Sequence, residues 1–233
     1  MHRFFVPKEQ LPNIIGTDAH QIKNVLRMQI NDEIELLDGT GTKYSAKIKE
    51  IKKDMIICEI LDQTENSFVS KINITIAQCL PKNKKMELII QKCTELGASN
   101  IIPVASERSI SKADKLERWQ KIAKEAAEQS NRSTIPTIHS LTTFKNILSL
   151  SSNYDLALIP WELEDKVTLR SCLRNKIPRS IIILIGPEGG FTKQEVETAK
   201  QAGFISISLG KNILRTETAS LAILSMINYE FEL

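Results

Sequence analysis

The spacing of apolar and polar positions changes once along the chain. In residues 1–70 the apolar positions come in short runs: His2 to Val6, Glu33 to Leu37, Tyr44 to Ile51 and Met55 to Leu61. Runs of this length, rich in β-branched and aromatic residues, predict strands. Asp38-Gly39-Thr40-Gly41 separates two of them and predicts a hairpin turn. Between the first two runs, Ile22, Val25 and Leu26 fall at helical spacing and predict one short helix over Asp18 to Met28. Together these elements predict a small β-barrel. The polar stretch Gln63 to Ser70 is the expected linker.

From residue 71 strands and helices alternate. Strands are predicted at Ile72 to Ala77, Ile101 to Val104, Leu156 to Ile159, Ile181 to Ile185 and Ile205 to Leu209. Helices are predicted over Lys84 to Leu96, Asp114 to Ser130, Thr192 to Ala202 and Thr216 to Glu230. Gly97 and Gly203 are placed to end two of the helices in the left-handed conformation. Thr192 and Glu195 form a capping-box pattern. Alternation of this kind predicts an α/β domain with a mostly parallel sheet covered on both faces. The expected domains are therefore 1–70 and 71–233.

Composition agrees with a folded, water-soluble chain: 42% hydrophobic and 25% charged residues over 233 positions. The strongest aliphatic run, Ile181 to Ile185, is far shorter than the about 20 residues a spanning helix needs. The first ten residues lack an apolar core of signal-peptide length, so a cytoplasmic protein is expected. Cys58, Cys79, Cys93 and Cys172 show no metal-binding spacing, and His2, His20 and His139 are scattered; reduced thiols and no metal are expected. The net charge of +3 is uneven. Residues 1–70 carry −2, residues 71–140 carry +5, and residues 141–233 are neutral. A localised basic block points toward a polyanionic partner, or to a solvated helix face.

In an open parallel sheet, ligands bind beyond the carboxyl ends of the strands. Three loops lie there: Pro160-Trp161-Glu162, Gly186 to Phe191, and Gly210 to Arg215. Glycine directly after two of the strands lets backbone approach a ligand closely. Neither glycine loop has the spacing of a phosphate-binding motif, and Glu188 would repel a phosphate. Backbone amides and carbonyls there suit an adenosine with an amino-acid tail, and a nearby carboxylate suits a cationic ligand. The alternative is that the glycines only make tight turns.

Gly186-Pro-Glu-Gly-Gly-Phe-Thr192, followed by the stretch Leu209 to Ala219, closely resembles the SPOUT-class RNA methyltransferases, and within them the RsmE family. Met1 to Phe5, His20 to Met28, Lys84 to Gly97, Ser106 to Ser109 and Glu128 to Arg132 extend the resemblance over nearly the whole chain. The resemblance implies an N-terminal PUA-like RNA-binding barrel and a C-terminal α/β domain with a trefoil knot. It implies a homodimer that uses S-adenosylmethionine to methylate N3 of one uridine in 16S ribosomal RNA of the small subunit. Other readings are a SPOUT methyltransferase with a different RNA substrate, or a non-catalytic RNA-binding or ribosome assembly factor.

The cofactor residues expected on this basis are Leu158, Ile159 and Pro160; Ile185, Gly186, Gly189 and Gly190; and Leu209, Gly210, Ile213, Leu214 and Arg215. Neutral uridine is protonated at N3, so the site must help remove that proton or stabilise the developing oxyanion. Arg215 is the first catalytic candidate, with a salt bridge to Glu188 or Glu217 as the structural alternative. Glu188 and Glu217 are candidate bases or ligand-orienting groups, and Thr216 reads as a helix N-cap. Arg3, Arg27, Lys84, Arg108 and Arg132 match family positions and are the expected RNA contacts. Lys82, Lys84 and Lys85 could form a phosphate patch or an ordinary solvated helix start.

Overall fold

The computed structural model describes residues 1–65, 72–82, 85–109, 115–174 and 177–231. The chain forms two compact units: 1–69 with 127–135, and 70–126 with 136–233.

The first unit is a five-stranded sheet in the order β1-β3-β4-β5-β2. Its strands are β1 (His2–Phe5), β2 (Asn13–Ile15), β3 (Glu33–Leu37), β4 (Thr42–Ile51) and β5 (Met55–Glu65). Period-two alternation sends Tyr44, Ala46 and Ile48 inward to meet Phe4, Ile34, Leu36 and Ile56 in the core. The predicted hairpin is present. Asp38 accepts from the amides of Thr40 (2.8 Å) and Thr42 (3.2 Å), and Gly39 takes φ +80°. β5 runs four residues further than expected because it continues to pair with the start of β4, so Gln63 to Glu65 are strand and not linker. Residues 66–70 lie outside the described residues.

The helix expected over Asp18 to Met28 is shorter and changes character. α1 (Gly16–His20) passes into a single wide turn, Gln21–Val25, closed by a bond from the Leu26 amide to the Gln21 carbonyl (2.9 Å). The widened turn buries Ile22 completely but leaves Val25 66% exposed, although both share the helical spacing. Arg27 then takes φ +52°, which stops the helix.

The second unit is a parallel sheet in the order β12-β10-β11-β6-β7-β8, with β9 on β7. Its strands are β6 (Asn73–Cys79), β7 (Asn100–Ala105), β8 (Thr137–Ile138), β9 (Thr142–Thr143), β10 (Leu156–Pro160), β11 (Ser180–Ile185) and β12 (Ile205–Ile207). Helices α2 (Lys85–Glu95), α3 (Leu116–Gln129), α4 (Phe144–Leu148), α5 (Leu169–Leu173), α6 (Lys193–Gln201) and α7 (Thr216–Phe231) connect or cover them. The central strands are buried on both faces, which is why Ile181 to Ile185 reads as an unbroken aliphatic run. The capping box at α6 is present: Thr192 accepts from the Glu195 amide (3.1 Å), and Glu195 accepts from the Thr192 amide (2.8 Å). Gly97 and Gly203 follow α2 and α6 at φ +93° and +100°, as expected.

Candidate active site

Strands β12, β10 and β11 are neighbours and parallel, so their carboxyl ends bring the three predicted loops together. The loops enclose a cleft of about 350 Å³. Of the expected cofactor residues, Pro160, Ile185, Gly186, Gly189, Gly190, Leu209, Gly210, Ile213, Leu214 and Arg215 line it. Leu158 and Ile159 do not; they are fully buried inside β10. The reason is geometric: strand side chains before the carboxyl end pack on helices, and only the loop beyond faces the cleft. Sequence reasoning missed other wall residues, among them Ser208, Lys211, Asn212 and Thr216.

Close packing explains the glycines. A β-carbon at Gly186 would lie 3.2 Å from the ring of Phe191, which is itself buried. At Gly190, with φ +63°, it would lie 2.8 Å from a Glu162 carboxylate oxygen. On the third loop, Ile213 is 82% exposed. An exposed aliphatic side chain on a cleft wall suits the flat apolar face of a ligand.

Glu188 and Glu217 are not paired with Arg215, as the structural alternative for that residue would have it. Lys85, at the start of α2, meets both carboxylates: Glu188 at 3.1 Å and Glu217 at 3.3 Å. Glu188 also accepts from the Lys82 amide at 3.0 Å. Burial alone would raise the Glu188 pKa, but its own amide, Lys85 and the Lys82 amide outweigh burial and hold it below the usual carboxylate range. The bond to Glu188, and then that to Glu217, raises the Lys85 pKa. Lys85 is thus committed to two carboxylates and is not part of a free phosphate patch. Lys84 lies outside the described residues. Arg215 is exposed on the cleft wall, and no carboxylate among the described residues reaches its guanidinium.

Thr216 is the first residue of α7, one position past the N-cap expected for it. Its hydroxyl donates to the Gly186 carbonyl (2.5 Å), and the helix opens on a bond from the Ala219 amide to the Arg215 carbonyl. The residue was free for this task because Arg215 holds the cap position.

The expected RNA contacts divide between the units. Arg108 in the second unit donates to the Gly189 carbonyl (2.5 Å), which places it beside the second loop. In the first unit Arg3 is ion-paired with Glu35, while Arg27 is exposed. Arg132 is half-buried and donates to Thr134 (3.3 Å); burial pushes its pKa down to about 10, which still leaves it charged at neutral pH.

Comparison with known proteins agrees with this arrangement. Residues 69–228 match the model of an RNA methyltransferase domain, and residues 14–61 match that of an RNA methyltransferase PUA domain. Ribosomal RNA small subunit methyltransferase E of Bacillus subtilis is 37% identical, over 100% of this chain and 98% of that protein. The protein of the same name from Neisseria gonorrhoeae, solved bound to S-adenosyl methionine, superposes with a TM-score of 0.89 at 34% identity, covering 99% of this chain and 98% of that one. A Legionella pneumophila methyltransferase solved with bound SAM gives 0.89 at 30% identity, covering 98% and 97%. With a parallel α/β domain, a PUA-like N-terminal unit and relatives of this likeness along its full length, the chain belongs to the family of small-subunit ribosomal RNA methyltransferases E.

Proposed function

We propose that this protein is an S-adenosylmethionine-dependent methyltransferase acting on N3 of one uridine in 16S ribosomal RNA. The observation that carries the reading is the cleft itself: three loops at the carboxyl ends of adjacent parallel strands, lined by glycine backbone, with an arginine on the wall that no carboxylate among the described residues reaches. The lining fits the cofactor, because backbone at Gly186, Gly189, Gly190 and Gly210 and the apolar side chains of Leu209, Ile213 and Leu214 face the same cleft. Gly186, Gly189, Gly190 and Gly210 would hold it through backbone, and Leu209, Ile213 and Leu214 would cover its base.

Bound there, S-adenosylmethionine supplies an electrophilic methyl group. The protein's own task is to present N3 in line and to favour its deprotonated form. Arg215 suits the second task, since a guanidinium on the cleft wall can hold a uracil oxygen as negative charge develops on it. Glu188 and Glu217 are better suited to orientation than to proton transfer. Lys85 holds both, and the Glu188 carboxyl, with its lowered pKa, is a weak proton acceptor at neutral pH.

The two units would divide the work: the first, which residues 127–135 join although the sequence placed them in 71–233, would grip RNA through Arg3, Arg27 and Arg132, and the second would carry the reaction, with Lys84 and Arg108 among its RNA contacts. The trefoil knot and a cytoplasmic location belong to the same proposal. A homodimer is supported by apolar side chains left outside on packed helices: Met226 and Tyr229 on α7, at 42% and 87% exposure, and Leu88 on α2 at 43%.

The test is mass spectrometry of nucleosides from small-subunit RNA of cells lacking this protein. Loss of 3-methyluridine, restored by the wild-type gene, is expected. Undiminished 3-methyluridine would overturn the proposal.

A further inference from the structure

We infer that Gln78 is a positioning residue for this site, acting through Thr216 on the carbonyl of Gly186. The inference rests on the reading of the cleft as the cofactor site.

Gln78 lies on β6, is completely buried and does not line the cleft. Its Nε2 donates to the Cys79 carbonyl (2.9 Å) and to the Thr216 hydroxyl (2.9 Å), and its Oε1 accepts from Ser220 (2.6 Å). The Cys79 carbonyl fixes the orientation of the amide, because a flipped amide would set two oxygens against each other. Both Nε2 hydrogens are then used. The Thr216 oxygen is an acceptor toward Gln78, so its single hydrogen goes to the Gly186 carbonyl at 2.5 Å. The direction of the chain from Gln78 to Thr216 to Gly186 follows from counting donors.

Gly186 opens the second loop of the cleft, and Thr216 follows the last residue of the third. The bond between them sets the spacing of the two loops, and Gln78 sets the Thr216 hydroxyl. The other buried positions of β6 are Ile74, Thr75, Ile76, Ala77 and Cys79, none of which carries a side-chain amide. A buried amide in such surroundings is costly unless every group is paired, as it is here. Packing alone would be served by an apolar side chain.

The test is calorimetry of S-adenosylmethionine binding to the full chain for wild type, Thr216→Val, Thr216→Ser, Gln78→Met and the Gln78→Met/Thr216→Val double variant. Thr216→Val and Gln78→Met should each weaken binding about tenfold, the size of one net hydrogen bond. Thr216→Ser, which keeps the hydroxyl, should stay within about twofold of wild type, and the double variant should be little worse than either single. If the wild type does not bind, the reading of the cleft fails. If the wild type binds and Thr216→Val binds equally well, the cleft reading stands and this inference falls. It also falls if Thr216→Ser is as weak as Thr216→Val, or if the two single losses add in full. Should Gln78→Met not fold, the Val and Ser variants at 216 decide alone.

Discussion

Gly186→Ala probes how closely the second loop is fitted to the core. The added methyl would lie 3.2 and 3.3 Å from two carbons of the Phe191 ring. Ordinary carbon contacts lie at about 3.5–4.0 Å, so the ring must retreat by a few tenths of an ångström. It has little room. Phe191 is 4% exposed, belongs to the core with Ile182, Leu184 and Val196, and has the Phe144 ring 5.9 Å away on a tilt. Overpacking of this kind costs about 1–3 kcal/mol. For a chain of this size each kcal/mol lowers the melting temperature by about 2–4 °C, so a drop of roughly 2–12 °C is expected in a circular-dichroism melt. Weaker S-adenosylmethionine binding should accompany it, because the same backbone floors the cleft. Phe191→Leu shortens the ring side chain and should absorb the methyl, making Gly186→Ala/Phe191→Leu less costly than the sum of the singles. Gly210→Ala is the contrast: its φ of +120° is strained for alanine but nothing lies within 4 Å, so Phe191→Leu should give no relief there. A wild-type melting temperature for Gly186→Ala, or full additivity with Phe191→Leu, would refute the steric argument.

Arg215→Ala should keep cofactor binding within a few-fold while turnover on small-subunit particles falls about 100-fold or more; lysine should not restore it, lacking the planar fork. Wild-type turnover would sink the role given to Arg215. Burial pushes the thiols of Cys79 and Cys93 up to about 12 and that of Cys58 to about 11. None of these three should react with a disulfide reagent at pH 8 until the chain is unfolded, and rapid labelling of the native protein would contradict their burial. The Lys85 clip has a defined pH window. A carboxylate with a lowered folded pKa stabilises above its ordinary value and loses that as pH falls through the lowered one; a lysine with a raised pKa stabilises below its ordinary value and loses that as pH rises through the raised one. The difference in melting temperature between wild type and Lys85→Met should therefore be flat from about pH 5 to pH 10. A titration step inside that range would show that Lys85 is not held as described.

Elements with long, regular patterns were legible in the sequence, and short ones were not. β11 and α6 carry an aliphatic run and a capping box, which are local signals. β2, β8, β9, α4 and α5 have two to five residues each, too few to show a period. The region after α1 shows how a regular pattern can mislead. Ile22, Val25 and Leu26 fit an α-helix, yet a wide turn buries Ile22 and turns Val25 out. Periodicity reports which residues are apolar; one extra residue per turn changes which of them face the core. In the site the loops were legible because glycine after an aliphatic strand is itself a local signal. Thr216, Lys85 and Gln78 were not, because their roles depend on partners 30, 103, 132 and 138 positions away. The buried amide of Gln78 gives no sign in the sequence of which hydroxyl it will meet.

The charge of residues 1–70 makes the same point in electrostatic terms. Counting gives nine basic against eleven acidic groups, which argues against a phosphate-binding surface. Strand register changes the argument. Lys47 lies opposite Glu33 on β3 and opposite Glu59 on β5, Lys49 reaches Glu59 at 2.6 Å, and Arg3 is paired with Glu35. Several acidic groups are thus spent on cations of the same sheet, where exposed pairs contribute little stability but cancel each other's field. Lys23 and Arg27, on the exposed segment after α1, have no ion pair among the described residues. A net charge averages over the whole unit, whereas a phosphate meets the few cations that no neighbour has neutralised. On that ground Arg27 is better placed than Arg3 to meet RNA, although the two are equal as sequence candidates.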